Sequence, residues 1–296
     1  METDPSQHIL DSLPKPLPAI LRYMNLTTLK RSSKAFQAVI GLSPQKFDQL
    51  VHELEPRWNQ AEYRRKTSYD RKVPIGGGNH YKLSFEQMMA LYLVYLRTYV
   101  THIFLGSIFS IHDSRICRYF KKLQPVLQTK MKKLVITKID LTEQEILDLI
   151  VDATEQETER RPGSGYSGKK KKNTIKTQIV VNKKGKIKHV SGSVPGNIHD
   201  KKLFDQTKLR LPPQTKADLG YAGTGLKIPH KSSKLHPLTM RQKQTNKRHA
   251  KKRIVVEHTF ANLKKFQLLA QRYRGKLTDY NAHFVAICGL RNFITA

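Results

Sequence analysis

This chain is poor in cysteine, tryptophan and acid. Cys117 and Cys288 are the only cysteines, they lie far apart, and neither belongs to a C-x-x-C pair, so neither a disulfide framework nor a structural zinc site is expected. No run approaches the ~18 consecutive apolar residues that a membrane span requires, and residues 1–11 lack the basic and apolar blocks of a signal peptide. These absences suit a protein inside the cell, in a reducing compartment, without a membrane partner. There is no Gly-x-Ser-x-Gly elbow and no Walker-type phosphate loop, which argues against a serine nucleophile and against ATP dependence. Acidic residues number 23 against 54 Lys plus Arg, for a formal net charge of +31 in 296 residues and a pI near 10.1. That excess is larger than solubility requires and points first to a polyanion, with nucleic acid favoured.

The length suits two domains or one large domain with a helical module. Pro5, Pro14, Pro16 and Pro18 prevent a continuous helix, so residues 1–35 read as a loosely ordered lead-in. Residues 36–140 read as a helical region. Ser43 is a good N-cap with Pro44 at the first helical position, and Phe47, Leu50, Val51 and Leu54 make one apolar face that Pro56 is expected to end. After the Gly76-Gly77-Gly78 loop, Ser84 and Gln87 form a capping-box pattern ahead of the apolar stretch 88–96. A short helix over 101–109, a break at Ser110-Ile111-His112 and a basic helix from Asp113 follow the grammar of a helix-turn-helix near 101–125. In such a motif the second helix enters the major groove, so Ser114, Arg115 and Arg118 would meet bases or phosphates while Ile116, Phe120 and Leu123 face inward. The alternative is a helix pair whose charges are merely solvated. Thr142 and Glu145 suggest a further capped connecting helix.

From residue 141 the periodicity changes. Strands are expected over 149–153, 174–181 and 187–194, with Asn182-Lys183-Lys184-Gly185 turning the last two into a hairpin. A helix follows over 199–207, capped by Asn197 or Asp200, then short strands at 215–219 and 226–229, and a long basic helix over 238–265. Asp152, Asp218 and Glu257 end or interrupt apolar stretches of this otherwise basic half. Carboxylates where core is expected call for a divalent cation, and hard oxygen donors suit Mg²⁺. Phosphodiester displacement uses two such ions ~4 Å apart, one activating the attacking oxygen and one stabilising the leaving oxygen. The Lys169–Lys172 run, on the loop between the first two strands, suits non-specific phosphate binding with steep salt dependence.

Strand, hairpin, helix, strand and long helix, with acids on the first strand, the fourth strand and the late helix, is the order of RNase H-like nucleases. Over residues 40–296 the chain resembles the DDE-superfamily transposases of bacterial insertion sequences and their Harbinger-type relatives. The resemblance rests on IVDATE around Asp152, YSGKKKKNTIKTQ at 166–178, PGNIHDKKLF at 195–204, ADLGYAG at 217–223 and VEHTFANLKKF at 256–266. It implies an α/β fold with a mixed five-stranded RNase H-like sheet over 141–296, preceded by an all-helical helix-turn-helix domain. It also implies that Asp152, Asp218 and Glu257 hold two Mg²⁺ or Mn²⁺ ions. The expected activity is recognition of terminal inverted repeats, hydrolysis that exposes a 3′-hydroxyl, and transfer of that hydroxyl into target DNA. A homodimer on the paired ends and a cytoplasmic, nucleoid-associated location go with it.

The family's Tyr, Arg, Glu, Lys signature on the late helix is matched here by Arg253, Glu257 and Lys264, with the two cations expected on phosphates near the scissile bond. Ala250 stands where the tyrosine would be, which passes any such role to a neighbour such as His249. Asp200 competes with Asp218 as the second ligand, and His199 is a candidate accessory group. The alternative functions are an inactive DNA-binding derivative of a transposase and a nuclease without strand transfer.

Overall fold

The computed structural model describes residues 25–68, 80–135 and 148–296. The Gly76-Gly77-Gly78 loop and the Thr142/Glu145 pattern fall outside them.

Among the described residues, six helices come first: α1 (Leu26–Lys30), α2 (Ser33–Ile40), α3 (Pro44–Thr67), α4 (Phe85–Thr98), α5 (His102–Phe109) and α6 (Asp113–Val135). The expected lead-in is therefore helical from Leu26 onward, with Asn25 and Ser32 capping the first two helices. Ser43 caps α3, and Ser84 with Gln87 closes the capping box of α4, as their side chains dictate.

Pro56 does not end α3, which runs on to Thr67. A mid-helix proline costs ~3 kcal/mol, but the turns beyond it bury Trp58 and Glu62. Trp58 stacks on Phe85 at 5.6 Å. The Glu62 carboxylate takes hydrogen bonds from Arg65, at 2.8 and 3.1 Å, and from Tyr81 Oη at 2.6 Å. Packing beyond the proline outweighs its local penalty.

Helices α5 and α6 meet at the expected break, where Ser110 adopts a left-handed conformation. Gly106 makes that turn possible, because a Cβ there would sit 2.6 Å from the Ile111 carbonyl. Ile116, Phe120 and Leu123 face inward as their spacing predicts.

The second half holds β1 (Ile150–Glu157), β2 (Gly165–Ser167), β3 (Lys172–Val181), β4 (Ile187–Val190) and β5 (Val194–Pro195), then α7 (Asp200–Thr207), α8 (Met240–Leu263) and α9 (Leu277–Thr295). Long β3 is central. β1 pairs antiparallel along one edge, and β2, β5 and β4 pair antiparallel along the other. The expected third strand splits in two around residues 191–193. The segments expected as fourth and fifth strands join only through single parallel bridges, Ile150 to Lys216 and Lys216 to Lys227. The Asn182–Gly185 turn forms as read, with Gly185 at φ 75° donating to Asn182 O at 2.9 Å.

One continuous apolar core runs from Phe36 and Leu50 through Leu123 and Ile179 to Tyr280 and Phe284, so helices and sheet pack against each other. Helix α9 lies along α6, and a Cβ at Gly289 would come 2.5 Å from that of Met131. A buried polar link adds specificity: Gln156 on β1 donates to Leu268 O and Gln271 O and accepts from Tyr280 Oη at 2.9 Å. A smaller cluster, Val151, Val180, Phe204, Ala217 and Tyr221, seats α7 on the other face of the sheet.

Candidate active site

A pocket of about 460 Å³ opens over the middle of β1. Its walls include Asp152, Glu155, Asp200, Asp218 and Glu257 together with Lys169, Lys170, Lys176 and Lys264. Five acids and four lysines drawn from β1, β3, the β2–β3 turn, α7, the 218 turn and α8 thus face one space.

Asp152 and Asp218 come together through backbone register. Val151 N–H donates to Lys216 O, and Lys216 N–H donates to Leu149 O, both at 2.9 Å. These bonds set residue 216 parallel to residue 150, and two residues further on in each chain stand Asp218 and Asp152. His249 on α8 pins this segment from behind. Its Nε2 lies 2.9 Å from Ala217 O, and because a carbonyl only accepts, that nitrogen carries the proton. His249 therefore serves as a brace, and Ala250 beside it is exposed. Asp218 caps the short turn Leu219–Tyr221, its Oδ1 accepting from Gly220 N–H at 2.8 Å. A Cβ on Gly220 would stand 2.8 Å from Asp200 Oδ2 and 3.0 Å from Asp218 Oδ1, so only glycine fits between the two carboxylates.

Asp152 is largely buried, its side chain 17 % exposed. One carboxylate oxygen accepts from Ala153 N–H at 2.9 Å and the other from Arg253 Nη2 at 3.1 Å. Burial pushes its pKa up to about 6; the Arg253 charge and the Ala153 N–H oppose the rise, and the like charges of Asp218 and Asp200 add to it. Arg253 was expected on DNA phosphates, yet it is engaged with Asp152. Glu257, one turn further along α8, is exposed and faces the pocket. Lys264 caps that helix, and burial followed by repulsion from Lys170 holds its pKa below the ordinary value. Lys170 and Lys264 thus approach the same rim from opposite sides.

Lys176 and Glu155 escaped the sequence reading. They are cross-strand partners on β3 and β1. Lys176 is buried, with Nζ 3.3 Å from Glu155 Oε1, 2.9 Å from Asp200 Oδ1 and donating to Ile198 O at 2.7 Å. The available signal was a lysine inside the apolar run TIKTQIVV, since a buried ammonium demands an acid nearby. Asp200 is consequently the first residue of α7, bonded to Lys176, and does not cap that helix. The cap is His199, which accepts from Lys201 N–H at 3.4 Å and does not line the pocket.

Among the described residues, no group of three Asp, Glu, His or Cys stands ready to hold a metal ion. The donor set nevertheless suits one. Asp152, Asp218 and Glu257 offer hard oxygens to one pocket, and Asp152 is a buried carboxylate only partly compensated by its own chain. Away from this pocket, Arg118 on α6 is exposed and Arg115 is half-buried on the same helix.

Residues 151–292 match the family described as DDE superfamily endonuclease, and residues 81–133 match the helix-turn-helix of DDE superfamily endonuclease. Over these two stretches the chain is similar to the DDE superfamily endonucleases. The second match spans α4 through α6, so the helix-turn-helix expected near 101–125 sits within a longer helical unit. A protein of Microchaete diplosiphon named as a probable transposase for insertion sequence element IS702 is 29% identical over 275 residues, 88% of this chain and 95% of that protein. A Streptomyces albus G protein, also provisionally named, as a transposase for insertion sequence element IS112, is 29% identical over 236 residues, 77% of this chain and 83% of that protein. No solved structure matches. Endonucleases of this superfamily generally use a divalent metal. No helix among the described residues is long and apolar enough to cross a membrane.

Proposed function

We propose that this protein is a DNA transposase of the DDE superfamily that binds the ends of its element through α5 and α6, with Arg115 and Arg118 on the duplex. On this reading it cleaves at those ends in the pocket formed by Asp152, Asp218 and Glu257, and then joins the freed 3′-hydroxyl to target DNA. The observation that carries the proposal is the convergence of three acids, more than a hundred residues apart from first to last, on one pocket rimmed by lysines.

Asp152, Asp218 and Glu257 would hold two Mg²⁺ or Mn²⁺ ions, which when bound activate the attacking oxygen and stabilise the leaving oxygen. The chain's own residues do the rest. Arg253 orients Asp152 and partly offsets the burial that disfavours its ionised form. Lys169, Lys170 and Lys264 draw the phosphodiester to the rim. Lys176 ties Asp200 and Glu155 together, which fixes the loop at residues 198–200 beside Asp218. Two DNA ends must be brought together, so a homodimer on DNA is part of the proposal. So are the division into residues 1–35, 36–140 and 141–296 and a nucleoid-associated cytoplasmic location.

The test is incubation of purified protein with labelled duplex carrying the element's terminal inverted repeats, with and without Mg²⁺. Nicking at the end followed by joining to a second duplex is expected. Nicking without joining would reduce the protein to a nuclease, and binding without nicking would reduce it to an inactive derivative.

A further inference from the structure

A second cavity, of about 440 Å³, lies between α2, the C-terminal end of α4, the C-terminal end of α8 and α9. Lys34, Arg97, Lys265 and Arg291 line it, and no acidic side chain does. Four cations around one space, without a carboxylate partner for any of them among the described residues, form an arrangement that an outside anion stabilises.

The walls hold the cations in place. Arg97 donates through Nε to Ala38 O at 3.2 Å and lies over the Phe266 ring at 5.5 Å, which leaves the outer guanidinium edge available. Phe266 is itself pressed against Gly41, at φ 90°, where a Cβ would be 3.0 Å from the ring. Arg291 spends Nη1 on Thr295 Oγ1 at 2.8 Å, while its buried Nε has no acceptor. Burial lowers the pKa of both arginines, the direction expected of guanidinium groups that lack a counter-charge.

The end of α8 is a wall shared with the catalytic pocket: Ala261 and Lys264 face that pocket, and Asn262 and Lys265 face this cavity. A free anion would satisfy one side only. A nucleic acid strand carries phosphates on both sides of the wall. We propose that this cavity is a second phosphodiester-binding site, gripping the DNA strand that leaves the catalytic pocket around the C-terminal end of α8. The proposal rests on the catalytic reading of the first pocket.

It is tested on the full chain by amine-reactive footprinting of lysines, read by mass spectrometry, with and without duplex DNA and with inorganic phosphate as the control anion. DNA is expected to slow modification of Lys34 and Lys265 by about fivefold or more, as close phosphate contact requires. The double variant Lys34→Gln/Lys265→Gln should lower the slope of log affinity against log salt by about two and weaken binding about tenfold. If Lys169 and Lys170 are protected while Lys34 and Lys265 stay as reactive as in free protein, this site is overturned and the catalytic reading survives. If all four stay reactive on DNA, both fall. Full protection by inorganic phosphate, together with an unchanged salt slope in the double variant, assigns the cavity to a small anion and overturns the DNA site.

Discussion

Two buried carboxylates, one in each half of the molecule, have been pushed in opposite directions. At Glu62, in the helical half, burial by itself raises the pKa. The hydrogen bonds from Arg65 and Tyr81, with the charges of Lys122 and Arg65, outweigh it and bring the group down to about 2. At Asp152, in the catalytic pocket, burial is opposed by one arginine contact and one backbone N–H, and is reinforced by two neighbouring aspartates, so the group stands near 6. Glu62 is neutralised by its own chain and ties α3 to α6 and to Tyr81, which lies just ahead of α4. Asp152 is left short of positive charge in the direction that opens on the pocket. A structural acid is recognisable by complete internal compensation, whereas an acid that serves a bound cation is left incomplete.

The largest effect should separate the two acids by activity. Asp152→Asn, Asp218→Asn and Glu257→Gln should each lower Mg²⁺-dependent nicking by at least about 10³-fold with DNA binding retained; substantial cleavage by Asp152→Asn would break the contrast. In the same assay Glu62→Gln should cleave normally at temperatures where it is folded.

Lys176→Met comes next. It leaves Glu155 and Asp200 without their shared cation and should reduce cleavage about 10–100-fold, with Lys176→Arg recovering part of the loss. Equal activity of the Met variant would show that the ion cluster does not position the pocket.

Stability should rank the acids in the opposite order. Glu62→Gln is expected to cost about 2–3 kcal/mol in denaturant unfolding, because it strips a buried network of its charge. Asp152→Asn should cost less, about 1–2 kcal/mol, since the amide oxygen keeps one of its two donors, Arg253 or the Ala153 N–H, and only the other loses its acceptor.

The smallest effect is the pH dependence in chelator, and its sign differs between the two sites. With its folded pKa depressed, Glu62 contributes stability that is fully present above its unfolded value of roughly 4.3 and is lost as pH falls towards 2. With its folded pKa raised, Asp152 contributes stability that is present below its unfolded value of roughly 3.9 and is lost as pH rises through about 6. Melting of wild type against Glu62→Gln and Asp152→Asn across this range isolates each contribution. Stabilisation by added Mg²⁺ should fade below pH ~6, where a proton competes for Asp152.

Wherever the signal was local, the sequence by itself determined the outcome. The caps at Ser43 and Ser84, the break at Ser110, the hairpin at Asn182–Gly185 and the long basic helix follow from side-chain hydrogen bonding and short-range periodicity, which act within a turn or two of the chain. The motif residues Asp152, Asp218 and Glu257 stand out because an acid in an apolar run is chemically anomalous. Tertiary structure alone decided what depends on partners distant in the chain. It carried α3 through Pro56, because Trp58 and Glu62 had places to bury. It gave Arg253 to Asp152, buried Lys176 between Glu155 and Asp200, used His249 as a brace, and packed the helical region and the sheet against one core. Charges and aromatic rings select partners by proximity in space, and that proximity exists only after the chain has folded.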